Sequence, residues 1–115
     1  MRHHKKGKKF GRKKNQRKAL LKSLATNLIM KQKIKTTETK AKEVRSLVER
    51  LVTRTKKRNL SNIRYASTYL APVALKKLIN QIAPKYAERN GGYVRIVKIA
   101  SRKGDGAKMV FVEFV

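Results

Sequence analysis

The sequence contains no cysteine. Disulfides, thiolate nucleophiles and cysteine-ligated zinc are therefore excluded. Tryptophan is also absent, and aromatic residues make up only 6% of the chain. Acids are scarce: Glu38, Glu43, Glu49, Glu88, Asp105 and Glu113 are the only six. They fall on no common helical stripe, and no two are marked as an acid/base dyad or a two-metal site. His3 and His4 are adjacent but have no nearby carboxylates and are crowded by cations. Phosphate or base contact suits His3 better than a metal does. We expect no enzyme activity, no metal and no cofactor. Long apolar runs are missing too. A membrane span needs about 20 apolar residues, and the nearest stretch, Ala19 to Met30, is broken by Lys22, Ser23 and Asn27. A basic flank before such a stretch imitates a targeting peptide. Its apolar residues share one helical face, however, so we expect them to pack in the domain, and no membrane partner is expected.

Positive charge is what the chain has instead. Across 115 residues, 32 Lys or Arg face those six acids, for a formal net charge of +26. Self-repulsion at that charge weakens a compact state, and an anionic partner relieves it. The charge is densest in "MRHHKKGKKFGRKKNQRK", which holds ten Lys or Arg and no acid between Met1 and Lys18. Residues 1–14 cannot pack a core. We expect them to form a basic extension, unfolded alone and ordered on a polyanion. Residues 15–115 are enough for one modest domain, folding as a monomer.

Hydrophobic periodicity outlines that domain. Leu21, Leu24, Ala25 and Leu28 share a helical face, predicting a helix from about Asn15 to Lys31. Lys18 and Lys22 lie on another face of it. "KIKTT" (Lys33–Thr37) is β-branched and reads as a short strand. Thr37 is a candidate N-cap for a helix running to about Lys57. Its apolar seam is Ala41, Val44, Val48 and Leu51, thickened by Leu47 and Val52. Glu38 with Lys42, and Arg45 with Glu49, have ion-pair spacing. Shorter helices follow. Asn59 or Ser61 can cap one, Pro72 can start another, and Pro84 should kink or divide the last. Asn90-Gly91 is the expected helix stop. The period then changes to two. Tyr93–Ala100 and Met109–Val115 predict an antiparallel hairpin, with "SRKGDGAK" as the turn and Asp105 capping it. "KIKTT" can add a third strand. The predicted class is α+β, a two-layer α/β domain ending in a β-hairpin.

Several features point to a polyanion. Arg50, Arg54 and Arg58 recur at four-residue steps, a costly like-charge ladder unless something neutralises it. A solvated face is the bland alternative, but beside the basic extension a phosphate-facing stripe is the better reading. Arg102, Lys103 and Lys108 should project from the hairpin loop. Gly92 would let backbone approach RNA, and Tyr93 beside Arg95 is a candidate contact. The expected RNA-binding set is Arg2, His3, Lys5, Lys6, Lys8, Lys9, Arg12, Lys13, Lys14, Arg17, Lys18, Lys22, Lys35, Arg50, Arg54, Arg58, Gly92, Tyr93, Arg95, Arg102, Lys103 and Lys108. The few aromatics read as core or rim residues rather than as a stacking platform on a sheet.

"MRH", "ALLKSLATNLI", "IKTT" followed by "KAKEVRSLVE", "GGYVRI" and "RKGDGAKMVFVEFV" occur in that order. Together they resemble the family of protein seventeen of the bacterial large ribosomal subunit, over nearly the whole chain. The chain departs from the family pattern at Phe10-Gly11, Gln16 and Lys31-Gln32, where charge is kept or increased. The resemblance implies a cytoplasmic, structural role in the ribosome, as a monomer bound to large-subunit ribosomal RNA beside other large-subunit proteins. It also implies a position toward the solvent side, near the peptide exit region. A DNA-binding architectural protein shares the electrostatics and is the alternative from another class.

Overall fold

The computed structural model describes residues 14–115. Helix α1 (Lys14–Lys31) buries Ala25, Leu28 and Ile29 and half-buries Leu21 and Leu24. It ends at Gln32, which takes a left-handed φ of +66° and donates its N–H to the Leu28 carbonyl at 2.7 Å. That geometry closes the last turn and redirects the chain into strand β1 (Lys33–Thr37). Helix α2 (Glu38–Thr55) follows at once and carries the centre of the core: Ala41, Val44, Leu47, Val48, Leu51, Val52 and Thr55 are all buried. Thr37 occupies the N-cap position, but its hydroxyl makes no capping bond. The Glu38 N–H is satisfied instead by the Lys108 carbonyl at 2.9 Å, from the far end of the chain. Helix α2 stops at Thr55, whose hydroxyl bonds back to the Leu51 carbonyl at 2.8 Å.

Asn59 caps helix α3 (Leu60–Ser67) by accepting the Asn62 N–H at 2.9 Å. Pro72 opens helix α4 (Pro72–Lys77), where its missing N–H costs nothing. A π-helical segment (Leu78–Ile82) leads into the short helix α5 (Ala83–Lys85). The wider turn precedes Pro84, which has no N–H to offer a regular helix. The expected stop at Asn90-Gly91 is thus corrected to Lys85. Tyr86 leaves helical geometry and is buried against Tyr93 and Phe114, at ring distances of 5.3 and 6.1 Å. Its hydroxyl donates to the Val115 carbonyl.

Strands β2 (Val94–Lys98) and β3 (Met109–Phe114) form the hairpin. Ala100, expected on a strand, falls in the loop. Asp105 draws Arg102 into a tight turn, and Arg102 N–H bonds the Ala107 carbonyl at 2.8 Å. The sheet order is β1-β3-β2, antiparallel throughout. Ile34 pairs with Val112 and Ile96 with the same Val112, so one face collects Ile34, Thr36, Val94, Ile96, Val110, Val112 and Phe114. That face packs on the helices, with α2 touching all three strands. The two-layer α+β class holds.

Gly91 and Gly92 have φ of +142° and +64°. A Cβ on Gly91 would meet nothing within 4 Å, so substitution there is opposed by backbone strain alone. Gly91→Val is expected to lower stability by about 1–3 kcal/mol. A melting curve indistinguishable from the parent's would remove Gly91 from the determinants of this turn.

Candidate nucleic-acid interface

The acids decide where bare positive charge remains. Glu113, on the central strand, holds Arg95 at 2.6 Å and Lys33 at 3.7 Å across both neighbouring strands. The hydrogen bond from Arg95 keeps its carboxyl below the usual range. Asp105 binds Arg102 through both oxygens, at 3.0 and 2.7 Å. That bond, with a further one from the Ala107 N–H, depresses the Asp105 carboxyl strongly and raises Arg102. Glu38 lies 3.9 Å from Lys98, and Glu43 holds Arg17 at 3.1 Å. Glu49 accepts the Val94 N–H at 3.3 Å. The expected helical pairs of Glu38 with Lys42 and of Arg45 with Glu49 are therefore replaced by tertiary ones, which bring acids to partners the helix alone cannot offer.

The side built by α2 and α3 is different. Arg50 and Arg54 are exposed one turn apart on α2. Among the described residues, no acid pairs with either of them or with Arg58. Arg54 sits with its guanidinium carbon 3.9 Å from the ring centroid of Tyr65 on α3, a cation–π contact. Arg58 lies beyond the end of α2 and donates to Asn80 Oδ1 at 2.9 Å. It leaves the expected helical ladder but stays on the surface. Lys57 and Arg64 are exposed on the same two-element unit.

A groove of about 430 Å³ opens beside this stripe, lined by Ser46, Glu49, Arg50, Thr53, Arg54, Gly91 and Tyr93. The fold thus brings Arg50 and Arg54 to the glycine loop, and Gly92 is exposed there. Tyr93 is another matter. Expected as a surface contact, it is fully buried and belongs to the core. Lys56 Nζ donates to its hydroxyl at 3.0 Å, Thr53 shares a bond at 3.1 Å, and the hydroxyl reaches the Arg89 carbonyl at 3.2 Å. Burial pushes this phenol up, but the bonds with Lys56 and Thr53 together leave it below its ordinary value. The ring is not offered to a base.

Other expected residues are dispersed. Lys14, Lys18 and Lys22 are exposed along α1. Lys35, Arg102 and Lys103 meet around a second cavity of about 470 Å³ at the hairpin end. Lys108 is exposed nearby. Arg102, expected to project from the hairpin loop, and Arg95 and Arg17, expected as RNA contacts, are already held by acids. Arg2, His3, Lys5, Lys6, Lys8, Lys9, Arg12 and Lys13 lie outside the described residues. Tyr65 was missed by sequence reading. Its pairing with Arg54 is tertiary, and no local spacing announces it. Among the described residues, no cluster of His, Asp and Glu could hold a metal ion, and no helix is long and apolar enough to cross a membrane.

These features define a small, strongly basic α+β domain with the acid-free Arg50, Arg54 and Arg58 on its α2–α3 side and further exposed lysines on α1 and at the hairpin end. Residues 20–115 match the family model described as Ribosomal protein L17. The chain is 47% identical to large ribosomal subunit protein bL17 of Fusobacterium nucleatum subsp. nucleatum, over 100% of both chains. It is 48% identical to the bL17 of Staphylococcus epidermidis, covering 93% of this chain and 97% of that one. The chain belongs to the ribosomal protein L17 family.

Proposed function

We propose that the chain is a structural component of the large ribosomal subunit in the cytoplasm, and that it binds and stabilises the subunit's long RNA. It acts there as a single copy beside other large-subunit proteins, without catalysis. The name of its relatives, large ribosomal subunit protein, supports the setting. The observation that carries RNA binding is the division of charge. Half of the acids, Glu38, Asp105 and Glu113, are spent on the sheet and hairpin, while Arg50, Arg54 and Arg58 are left without an acid. An uncompensated cationic stripe on a chain of net charge +26 is stabilised by phosphate.

Replacing Arg50, Arg54 and Arg58 together by Gln tests this. Gln keeps helix propensity, and the change removes mutual repulsion, so the melting temperature should hold or rise. RNA affinity should fall, and the log–log salt slope should flatten by about two units for three lost phosphate contacts. An unchanged slope would make the stripe a solvated face. A salt-matched competition between structured RNA and duplex DNA separates this role from DNA packaging, and preference for RNA is the expected result.

A further inference from the structure

Arg54 is unusual among the exposed arginines because its guanidinium carbon sits over an aromatic ring. Tyr65 supports it at 3.9 Å, and Tyr69 braces Tyr65 edge-on, with ring centroids 5.4 Å apart at 60°. A free surface Arg loses about 2 kcal/mol of rotamer entropy when it is fixed. Here part of that ordering is done before any ligand arrives. Arg54 is also one of the residues that line the groove. Unstacked RNA bases pack on aromatic rings and on guanidinium planes.

The groove has the size and chemistry for such a base. Its volume of about 430 Å³ falls within the range of roughly 300–1,000 Å³ for small-ligand sites. Glu49 lines it beside Arg50 and Arg54, so only the part of the groove next to that carboxylate disfavours a phosphate. Arg50, on the same lining, has no acid partner among the described residues and is the open cation for a phosphate. A neutral base is not repelled. The Ser46 and Thr53 hydroxyls and the Glu49 carboxylate offer hydrogen-bonding groups to its edge. Gly91 adds no side chain to the mouth of the groove, and the space where a Cβ would stand is open.

Resting on the RNA-binding reading above, we infer that this groove takes one unpaired RNA nucleotide, its base stacked on the Arg54 plane and its phosphate on Arg50. A base held in a duplex cannot enter, because both its faces and its pairing edge are occupied. The site therefore recognises a bulge or loop rather than a helix.

The test uses the full chain and three RNA hairpins of equal length and charge at fixed salt. One is perfectly paired, one carries a single bulged nucleotide, and one carries an abasic bulge that keeps the phosphate. The bulged RNA is expected to bind about tenfold more tightly than the other two, the effect of one base–aromatic-type stack. A fluorescent purine analogue in the bulge should be quenched on binding. Arg54→Lys keeps the charge and loses the plane. It should abolish that preference, so that the ratio of bulged to paired affinity within the variant falls to about one. Equal binding of the bulged and abasic RNAs by the parent would overturn the groove assignment while leaving RNA binding standing. So would an undiminished preference in Arg54→Lys. If no hairpin binds with salt-dependent affinity, the RNA reading itself fails.

Discussion

Tyr93→Ala should lower the unfolding free energy by about 3–5 kcal/mol, the cost of emptying a large aromatic site in a packed core. That is a large share of the total of about 5–15 kcal/mol for a typical domain. Tyr93 is fully buried, packs on Tyr86 and carries the hydroxyl to which Lys56 and Thr53 bond. Tyr93→Phe, which keeps the ring, should cost about 1 kcal/mol. Urea titration of the three proteins measures both values. RNA affinity of Tyr93→Phe should equal the parent's. A Tyr93→Ala variant that keeps its stability but loses RNA binding would restore the residue to the surface role that its sequence context suggests.

Removing residues 1–14 should act almost entirely on binding. The deletion takes away Arg2, Lys5, Lys6, Lys8, Lys9, Arg12, Lys13 and Lys14, eight cations with no acid among them. If about half of them neutralise phosphates, the log–log salt slope flattens by about three units. Thermal stability should hold or rise, since repulsion falls. The core of α1, Ala25, Leu28 and Ile29, lies well beyond the cut. Salt-dependent binding and melting of both forms check this, and incorporation into large-subunit particles should slow or fail. An unchanged slope would make the extension a bystander, and loss of folding would make it part of the core.

Much of the fold was legible because its signals are local. The seam of α2 is visible at helical spacing, and every residue of it is buried. Alternation in "MVFVEF" placed Val110, Val112 and Phe114 on the inner face, as the register confirms. Ile29 and Thr55 escaped notice because one extends a stripe already complete and the other is polar. The helix end at Lys85 was not legible. It depends on Tyr86 finding Tyr93 and, far along the chain, Phe114 and the Val115 carbonyl. The interface was legible as charge but not as geometry. Counting Arg and Lys marks Arg50 and Arg95 alike. Only the fold shows that Arg95 is held by Glu113, and that Arg54 lies on Tyr65. A Tyr between Gly-Gly and Val-Arg reads as a surface residue until the helix that covers it is placed.

The central strand of the sheet is also the last segment of the chain. Lys33 pairs with Glu113, and Val94 pairs with Phe114. During synthesis, β1 emerges early and must wait for β3, so no strand pairing can form until Met109–Phe114 have been made. Loop closure over that separation belongs to the slow, high-contact-order part of folding. Helices α2 and α3 need no such wait, because they are adjacent in the chain. The α2–α3 side can therefore assemble while β1 and β2 are still unpaired. The strand made last of the three is thus the one that joins the other two into a sheet.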